Sequence, residues 1–505
     1  MADTDPGEIG GETGGDPAVR PSVWRYAKAS RAHLVIDAAA YFELMYDAML
    51  HAQQRIFLIG WDFDSRIRLA GGRRWWNLPR KDRFPARLGA YFIWLTRRNP
   101  ALQIRLLKWN FGALKFLFRG TMIVDVIRWL LTPAIDFKFD SAHPLGCSHH
   151  QKIVVIDDCL AVCGGIDMTS DRWDTPEHRH DDPRRRRTNG RPYGPWHDVT
   201  MMIEGDAARA LGDLGRKRWQ QAGGKPMDPC LPQDKSPWPT RLTAEFRDVE
   251  VGIARTRARF HGNGEVHEIE ALFLEQIARA KRFIYAENQY FASRSIAEAI
   301  ALRVSEPDPP EIVLVTPLSS DGWLQQQAMD TARVRLLHAI AESDHARRFR
   351  IFVPLTSGGA AIYVHAKLMI VDDEIIRVGS ANMNNRSMGL DSEADVFIDS
   401  ARPGNEHAAL AIARLRRRLL AEHCGISESR LGALLAAHGS MAAAIDAAGN
   451  SGKHLAPFAL RPLTDAEKAV ADNALLDPER PEEFFEPIGR RRGLFRSGGI
   501  LRRPV

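Results

Sequence analysis

A chain of 505 residues is too long for one compact core, so the sequence predicts two or more core-bearing units. Its apolar content of 45% and charged content of 26% are typical of a folded soluble protein and exclude collagen, a membrane bundle and wholesale disorder. The net charge of +6 favours anionic partners such as phosphate esters, acidic lipid surfaces or nucleic acid, without choosing among them. Five cysteines without a CxxC pair argue against a disulfide framework and fit a reducing compartment.

The N-terminal residues 1–23 are acidic and Gly-rich, and we predict a disordered tail there. This tail has neither the basic nor the apolar region of a secretory signal peptide. The most apolar stretch, 122–135, contains Asp125, Arg128 and Pro133 and is too short and too charged to span a bilayer. We therefore expect a cytoplasmic or peripheral membrane protein, with leaderless export left open.

Strand and helix patterns alternate along the first part of the chain. Helical periodicity covers 38–53. The polar stretch 171–195 predicts a long loop, of a length that often forms a functional lid or wall. Its His178 and His180, with two neighbouring aspartates, resemble a metal cluster, but loop composition alone explains them. The predicted strands of this part cover 55–60, 104–107, 137–139, 153–156, 160–162 and 199–203.

A second cycle of the same kind follows, with helices predicted over 266–280 and 323–342. The alternation predicts an α/β fold with two similar halves, each a mixed β-sheet flanked by helices, that share one central site. An Ala-rich helix over 431–448 and a basic tail come after the composition changes near Gly425. The predicted strands cover 283–287, 311–316, 363–371, 375–378 and 394–398. The predicted parts are a tail over 1–23, a first half over 24–240 with a motif at 150–157, a second half over 241–425 with a motif at 365–372, and a C-terminal helical extension with a basic tail over 426–505.

The two cycles are copies of each other, and their motif segments align without a gap. His150 aligns with His365, 215 residues later, and each histidine opens an HxKxxxxD pattern. Further along, Asp198 and Glu393 each precede a strand-like run. One match to this pattern is weak evidence, but two matches in register indicate a duplicated functional site. The aligned pairs are His150 with His365, Lys152 with Lys367, Asp157 with Asp372, Gly165 with Ser380, and Asp167 with Asn382.

The repeated residue types suit phosphodiester chemistry. Side chains alternate along a strand, so His150 and Lys152 would share one face of a strand, as would His365 and Lys367. If the halves pack face to face, two imidazoles and two ammonium groups converge on one cleft. One neutral imidazole can then attack phosphorus, while the other protonates the leaving oxygen and later activates water or an alcohol. The residues alone do not tell which imidazole has which role.

Positive and neutral donors would hold the substrate in this scheme. Lys152 and Lys367, with Asn382 and Ser380, are expected to hydrogen-bond the non-bridging oxygens as negative charge builds on them. The two lysines supply the charge that a metal ion would otherwise bring. We therefore expect no metal and no cofactor in the reaction, and turnover in the presence of EDTA.

The acids of the repeat have supporting roles. Asp198 and Glu393 are candidates to hold the outer imidazole nitrogens and so to fix each tautomer. Asp157 and Asp372 end the motif strands and start turns, which makes them more structural than chemical. Asp167 stands where the second copy has Asn382, so the two copies are not identical at this position.

These segments resemble a known family. HHQKIVVIDD at 149–158 and HAKLMIVDD at 365–373, with GSANMNNRSMGLDSE from 379 to 393, look like the paired HKD motifs of the phospholipase D superfamily. The resemblance covers about residues 25–425. Segments similar to the phosphatidylcholine-type branch are IFLIGWDFD at 56–64, DRWD at 171–174, WHDV at 196–199 and IYAENQYF at 284–291.

The resemblance implies two α/β halves around one site and hydrolysis of phosphatidylcholine or phosphatidylethanolamine to phosphatidic acid and a free alcohol. It also implies transfer to alcohols through a phosphohistidine, with His150 as nucleophile and His365 as acid and base. The expected partners are a phospholipid at a membrane surface and water or an alcohol as acceptor. Nucleic acid is not expected, and the oligomeric state stays open.

Two other enzymes and a binding module remain as alternatives. A cardiolipin synthase-like phosphatidyltransferase would use the same residues, but bacterial members usually begin with transmembrane helices. A nuclease fits the basic charge but lacks a basic-aromatic stacking platform. A binding module has no need to keep both His/Lys pairs. Trp61, Trp173, Tyr290 and Tyr363 could line a site for a quaternary ammonium group or belong to the core and rim.

Overall fold

The computed structural model of the protein describes residues 21–69, 85–110, 122–319 and 323–459. Apart from residues 21–23, the predicted N-terminal tail lies outside these ranges, as does the basic C-terminal tail. Within them, no helix combines the length and the apolarity that crossing a membrane requires. All five cysteines are free thiols.

Strands and helices alternate in the first half, and the strands nearest the second half are buried on both faces. Such strands are expected to be almost continuously apolar, as IVVI and LAVCG are. The described strands are β1 (Arg25–Ile36), β2 (Arg55–Gly60), β3 (Gln103–Trp109), β4 (Ile135–Asp140), β5 (Ile153–Ile156), β6 (Leu160–Gly164), β7 (Trp196–His197) and β8 (Val199–Glu204). The described helices are α1 (Ala38–Leu50), α2 (Leu88–Arg98), α3 (Met122–Leu130) and α4 (Asp206–Gln221).

The second half repeats this alternation. Its strands are β9 (Phe246–Arg257), β10 (Val266–His267), β11 (Phe283–Asn288), β12 (Glu311–Val315), β13 (Phe349–Leu355), β14 (Tyr363–Val364), β15 (Lys367–Val371), β16 (Ile375–Gly379), β17 (Glu393–Asp399) and β18 (His454–Pro457). Its described helices are α5 (Glu268–Arg279), α6 (Arg294–Val304), α7 (Trp323–Ser343), α8 (Asn385–Gly389), α9 (Ala408–Cys424), α10 (Glu428–His438) and α11 (Met441–Ala448).

The sheet topology shows the duplication directly. The first half has the strand order β4-β3-β2-β5-β6-β8-β1, and the second half has the matching order β13-β12-β11-β15-β16-β17-β9. In both halves the first three strands of this order are parallel and the rest antiparallel. The long strands β1 and β9 pair antiparallel and join the two sheets. The predicted two-half α/β architecture is therefore confirmed.

The core has three layers of apolar side chains. The inner layer lies between the halves, where β6 and β8 contact β16 and β17, and it mixes Val155 and Met201 with Ile370 and Val396. Separate outer clusters lie under α1 to α3 in the first half and under α5 to α7 in the second. Because the inner layer is shared, burial of each central sheet depends on the other half.

Most of the predicted helices and strands are present in the structure. Three differences between the prediction and the structure have clear physical causes. The helix predicted over 431–448 is two helices, because Gly439 adopts φ 63° and Ser440 caps the next helix. The strand predicted over 363–371 is interrupted at His365 and Ala366, where the backbone turns to the first half. No strand was predicted for β1 or β9, in which charged residues interrupt the apolar pattern.

The two motif aspartates close tight turns away from the cavity described below. Asp157 and Asp372 have φ values of 53° and 55°, and each is followed by an aspartate with positive φ, as a type I′ hairpin turn requires. The Asp157 carboxylate accepts three backbone N–H groups, of Gln53, Gln54 and Arg55, at 2.6–2.7 Å. Asp372 accepts the N–H groups of Lys281, Arg282 and Phe283 at 2.7–2.8 Å.

We predict that Asp157→Ala lowers the free energy of unfolding by about 2–4 kcal/mol, because three partly buried backbone N–H groups lose their acceptor. Chemical denaturation followed by circular dichroism measures this change. Asp157→Asn keeps one acceptor oxygen and should cost less. If Asp157→Ala is as stable as the wild type, the carboxylate does not anchor the start of β2.

Candidate active site

His150 and His365 lie just before the strands on which they were predicted. His150 is three residues before Ile153, the first residue of β5, and His365 is two residues before Lys367, the first residue of β15. The prediction that these histidines and Lys152 lie on strands is therefore wrong. The backbone pairs across the halves instead, since His150 N donates to Ser392 O (2.9 Å) and His365 N donates to His197 O (2.7 Å).

The acids that hold the two imidazoles come from the opposite halves. Nδ1 of His150 lies 3.0 Å from both carboxylate oxygens of Glu393. Nδ1 of His365 lies 2.7 Å from Asp198 Oδ2. When Glu393 and Asp198 are ionised they accept only, so each neutral imidazole then carries its proton on Nδ1 and presents a lone pair on Nε2.

Both acids follow a residue that anchors the opposite histidine. Ser392 and His197, whose carbonyl oxygens accept the histidine N–H groups, immediately precede Glu393 and Asp198. One short segment therefore holds both the backbone and the ring of the facing histidine. The sequence predicts that these acids orient the imidazoles, but it carries no signal for the exchange between halves.

The two lysines reach the histidine carbonyls. Lys152 Nζ donates to His150 O (3.0 Å) and lies 3.4 Å from Asp167 Oδ2. Lys367 Nζ donates to His365 O and to Gln289 Oε1 (2.9 Å). Both ammonium groups are buried, and their positive charges lower the pKa of both imidazoles.

The imidazoles line one cavity of about 900 Å³ between the halves. The predicted residues on its wall are His150, Lys152, Asp167, His365 and Asn382. Of the four aromatic candidates, Trp61 and Tyr290 also line the cavity, whereas Trp173 and Tyr363 do not. Residues on the wall that the sequence analysis did not single out include Trp109, Arg172, Trp196, Gln289, Asn384 and Arg386.

Arg172 is the most informative of the residues that sequence reasoning missed. Its guanidinium carbon lies 4.1 Å from the ring centroid of Trp196, and the Trp196 ring lies 5.1 Å from that of His365. The arginine thus adds a cation to the cavity wall near His365, and Lys152 and Arg386 lie on the same wall. Its position in the DRWD segment is a signal that could have found it.

The other predicted supporting residues lie behind the imidazoles. Ser380 Oγ donates to Glu393 Oε2 (2.5 Å) and Ser387 Oγ donates to Glu393 Oε1 (2.7 Å), so Ser380 contacts the acid rather than the cavity. Asp198 Oδ1 accepts from Val199 N (2.8 Å). A Cβ on Gly165 would come within 2.0 Å of Asp198 Oδ1, which explains a glycine at this position. The turn aspartates Asp157 and Asp372 are not brought to the cavity.

Burial dominates the electrostatics of the cavity. It lowers the pKa of both His150 and His365 below the usual range, and the neighbouring cations lower them further. Burial raises the pKa of Asp198 to about 7 and that of Glu393 to about 8, and it lowers the pKa of Lys367 to about 7. Each imidazole–carboxyl pair can therefore hold or release one proton near neutral pH.

Comparison with known proteins gives the family. The sequence model named Phospholipase D matches residues 132–300 and 351–455, together more than half of the chain. The chain belongs to the phospholipase D family. Both HKD motifs and both acids that contact the imidazoles lie within the matched residues, so the family match covers most of the cavity wall.

Members of the phospholipase D family in plants are similar along much of the chain. Phospholipase D alpha 1 of Nicotiana tabacum is 26% identical, with 76% of this chain and 64% of that protein covered. Phospholipase D alpha 1 of Carica papaya is 27% identical, with 55% and 49% covered. This chain thus spans about half to two thirds of these relatives.

A solved structure has a similar fold. Phosphatidylserine synthase of Haemophilus influenzae aligns with a TM-score of 0.53 and 12% identity, covering 78% of this chain and 86% of that chain. At this identity the likeness concerns the fold alone.

We predict that Glu393→Gln and Asp198→Asn each lower kcat by at least about 10²-fold, because each change allows the wrong imidazole tautomer. Steady-state rates with a phosphodiester substrate measure this effect. Ser387→Ala, which removes one of the hydrogen bonds to Glu393, is the milder control. Near-normal rates in either acid variant would contradict the orienting role.

Proposed function

We propose that this member of the phospholipase D family is a phosphodiesterase that hydrolyses the head-group phosphodiester of glycerophospholipids. The products are phosphatidic acid and a free alcohol, and other alcohols can replace water as acceptor. The proposal rests on the pairing of His150 with Glu393 and of His365 with Asp198 on the wall of one cavity. The names of the plant relatives support the same reaction class.

The reaction proceeds in two displacements. Nε2 of neutral His150 attacks phosphorus, the bond from phosphorus to the head-group oxygen breaks, and protonated His365 donates its Nε2 proton to that oxygen. Neutral His365 then takes a proton from water, the hydroxide attacks phosphorus, and the phosphorus–nitrogen bond breaks. We assign the attack to His150 on the resemblance of its motif to the first HKD motif of the family.

The lowered pKa values of the free site fit this division of roles. A neutral His150 is available for attack without losing a proton first. The bound phosphodiester brings a negative charge, which favours the protonated form of His365. Glu393 and Asp198 balance the imidazolium that forms at each step, as the buried acid of a catalytic triad does.

Cations and an amide surround the position of the phosphoryl group. Lys152, Arg172 and Asn382 lie on the cavity wall, and Lys367 lies behind His365. These groups can stabilise the oxygens that gain charge in each transition state. No step of this mechanism requires a metal ion at phosphorus.

Exposed apolar side chains support a lipid as substrate. Leu145 lies on the cavity wall and is 76% exposed. Ile127, Leu130 and Leu131, at and just beyond the C-terminal end of α3, are also exposed. Exposed apolar side chains of this kind commonly mark a membrane or partner contact. A water-soluble phosphodiester would not need it.

We predict that a phosphatidyl adduct accumulates on His150 in the His365→Asn variant when the substrate has a p-nitrophenol leaving group. Such a leaving group departs without a general acid, whereas hydrolysis of the adduct still needs a general base. Peptide mass spectrometry under alkaline quench locates the adduct.

The His150→Asn variant is the matched control and should form no adduct. His51→Asn, on the exposed surface after α1, should turn over normally. An adduct on His365 in the His150→Asn variant would reverse the assigned roles, and no adduct in either variant would exclude covalent catalysis.

We predict that the wild-type protein, given phosphatidylcholine vesicles and a primary alcohol, forms the phosphatidyl-alcohol at the expense of phosphatidic acid. The alcohol competes with water for the same phosphohistidine, so the summed rate should stay constant while the product ratio changes. Thin-layer chromatography of labelled lipid measures both products.

Parallel reactions test the competing substrates. Turnover of phosphatidylglycerol to cardiolipin without hydrolysis would favour a phosphatidyltransferase. Cleavage of single-stranded DNA or bis-p-nitrophenyl phosphate, with no reaction on any lipid, would refute the lipid substrate and retain the phosphodiesterase chemistry.

A further inference from the structure

Outside the cavity, a buried cluster combines two histidines and two carboxylates from four separate segments. Asp37 precedes α1, His178 lies in the long loop 171–195, His197 is in β7, and Glu422 is near the end of α9. The side chains of the first three are fully buried, and that of Glu422 is 6% exposed. None of the four is on the wall of the catalytic cavity.

The distances in this cluster are those of a ligand shell. His178 Nε2 lies 3.3 Å from Glu422 Oε1 and 3.5 Å from Asp37 Oδ2. His197 Nδ1 lies 3.2 Å from both Asp37 Oδ1 and Glu422 Oε1. Zinc bonds of about 2.0–2.1 Å place neighbouring ligand atoms of a tetrahedron about 3.3–3.4 Å apart. One donor atom from each residue lies within 4.8 Å of the others.

The far nitrogen of each histidine is already held by a carboxylate. His178 Nδ1 lies 3.0 Å from Asp174 Oδ2, and His197 Nε2 lies 2.8 Å from Glu287 Oε2. The carboxylates can only accept, so these nitrogens carry the protons and the nitrogens that face the cluster carry lone pairs when the rings are neutral. Metal-bound histidines are held in this way by an outer carboxylate.

Two polar atoms of the cluster lack a hydrogen-bond partner among the described residues. They are Asp37 Oδ2 and His197 Nδ1, and both are buried. The buried Asp37 and Glu422 carboxylates need a compensating positive charge, which either two protonated imidazoles or one metal ion can supply. A divalent cation supplies two positive charges, which neutralise the Asp37 and Glu422 carboxylates.

We propose that Asp37, His178, His197 and Glu422 form a binding site for a divalent transition-metal ion of the Zn²⁺ class. Two imidazoles and two carboxylates suit Zn²⁺ better than Ca²⁺ or Mg²⁺, which take oxygen ligands. With four protein ligands the site has no open position, so its role is structural. The sequence analysis explained His178 by loop composition alone, and this proposal gives it a specific role as a metal ligand.

The ion links the long loop and both halves behind the catalytic cavity. His197 is adjacent to Asp198, and its carbonyl oxygen accepts the N–H of His365. Asp37 N donates to Asp198 O (2.8 Å), and Asp37 has φ 63° and ψ 151°, a strained conformation outside glycine. The ion therefore stabilises the segment that orients His365, while the chemistry at phosphorus stays metal-free.

The test measures metal content and stability of the full chain, independently of activity. The purified protein is stripped with dipicolinate, reconstituted with ZnCl₂ and desalted, and zinc is counted by mass spectrometry. We expect about one ion per chain and a melting temperature raised by about 5 °C or more relative to the stripped protein. His178→Gln should lose both effects, and His180→Gln in the same loop should keep both.

Each result decides the proposal. Less than about a tenth of an ion per wild-type chain, with a melting temperature insensitive to zinc, would identify the cluster as an imidazolium–carboxylate network and overturn the site. Equal zinc in His178→Gln would place the ion elsewhere. If that variant does not fold, Co²⁺ in the wild-type protein is decisive, since strong four-coordinate absorption supports the site and its absence refutes it.

Discussion

The imidazole–carboxylate pairs that cross between the halves impose the main constraint on this structure. Glu393 holds His150 and Asp198 holds His365, so neither half contains a complete pair. An orienting acid is effective only if its position is fixed to within a fraction of an ångström. The halves must therefore be locked together rigidly, and the shared inner layer of the core, the β1–β9 pairing and the parallel bridge between β7 and β14 all contribute to that lock.

The same constraint explains why so many polar groups are buried at the centre of the molecule. Burial opposes charge separation within each imidazole–carboxyl pair, which is why both imidazoles have lowered pKa values and both acids have raised ones. A phosphodiester anion reverses this balance, because its charge stabilises an imidazolium and the surrounding cations. The free site is thus electrostatically prepared for an anion and poorly suited to a neutral ligand.

The sequence predicted several elements in which one local pattern governs one element, although it did not predict the helix α4 or the strand β13. The strand over 55–60 and the turn at Asp157 are right, because apolar runs and turn residues act within a few positions. The strands β1 and β9 were missed, since their burial depends on pairing between halves and their charged residues face outward along part of their length. Long-range pairing of this kind leaves no local signal.

The candidate site was also predicted only in part. The internal repeat was sufficient to select His150, His365 and the two orienting acids as candidates. The sequence could not predict that each acid contacts the histidine of the other half. Alignment of the copies matches Asp198 with Glu393, so each acid would be expected to contact the histidine of its own half. Arg172 lies in the long loop that only the first copy carries, so the repeat could not reveal it either.

The long loop is the largest difference between the two copies, and its position brings its side chains to two parts of the molecule. It contributes Arg172 to the cavity wall and His178 to the buried cluster, so a single insertion reaches both sites. The acid, the backbone acceptor and a neighbouring cation of His365 all come from the loop or from the residues next to it. The acid and the backbone acceptor of His150 come from a short segment that contains Ser392 and Glu393. The two imidazoles are equivalent in the repeat but not in their surroundings, and unequal surroundings are what two groups of the same intrinsic pKa need in order to act as nucleophile and as acid.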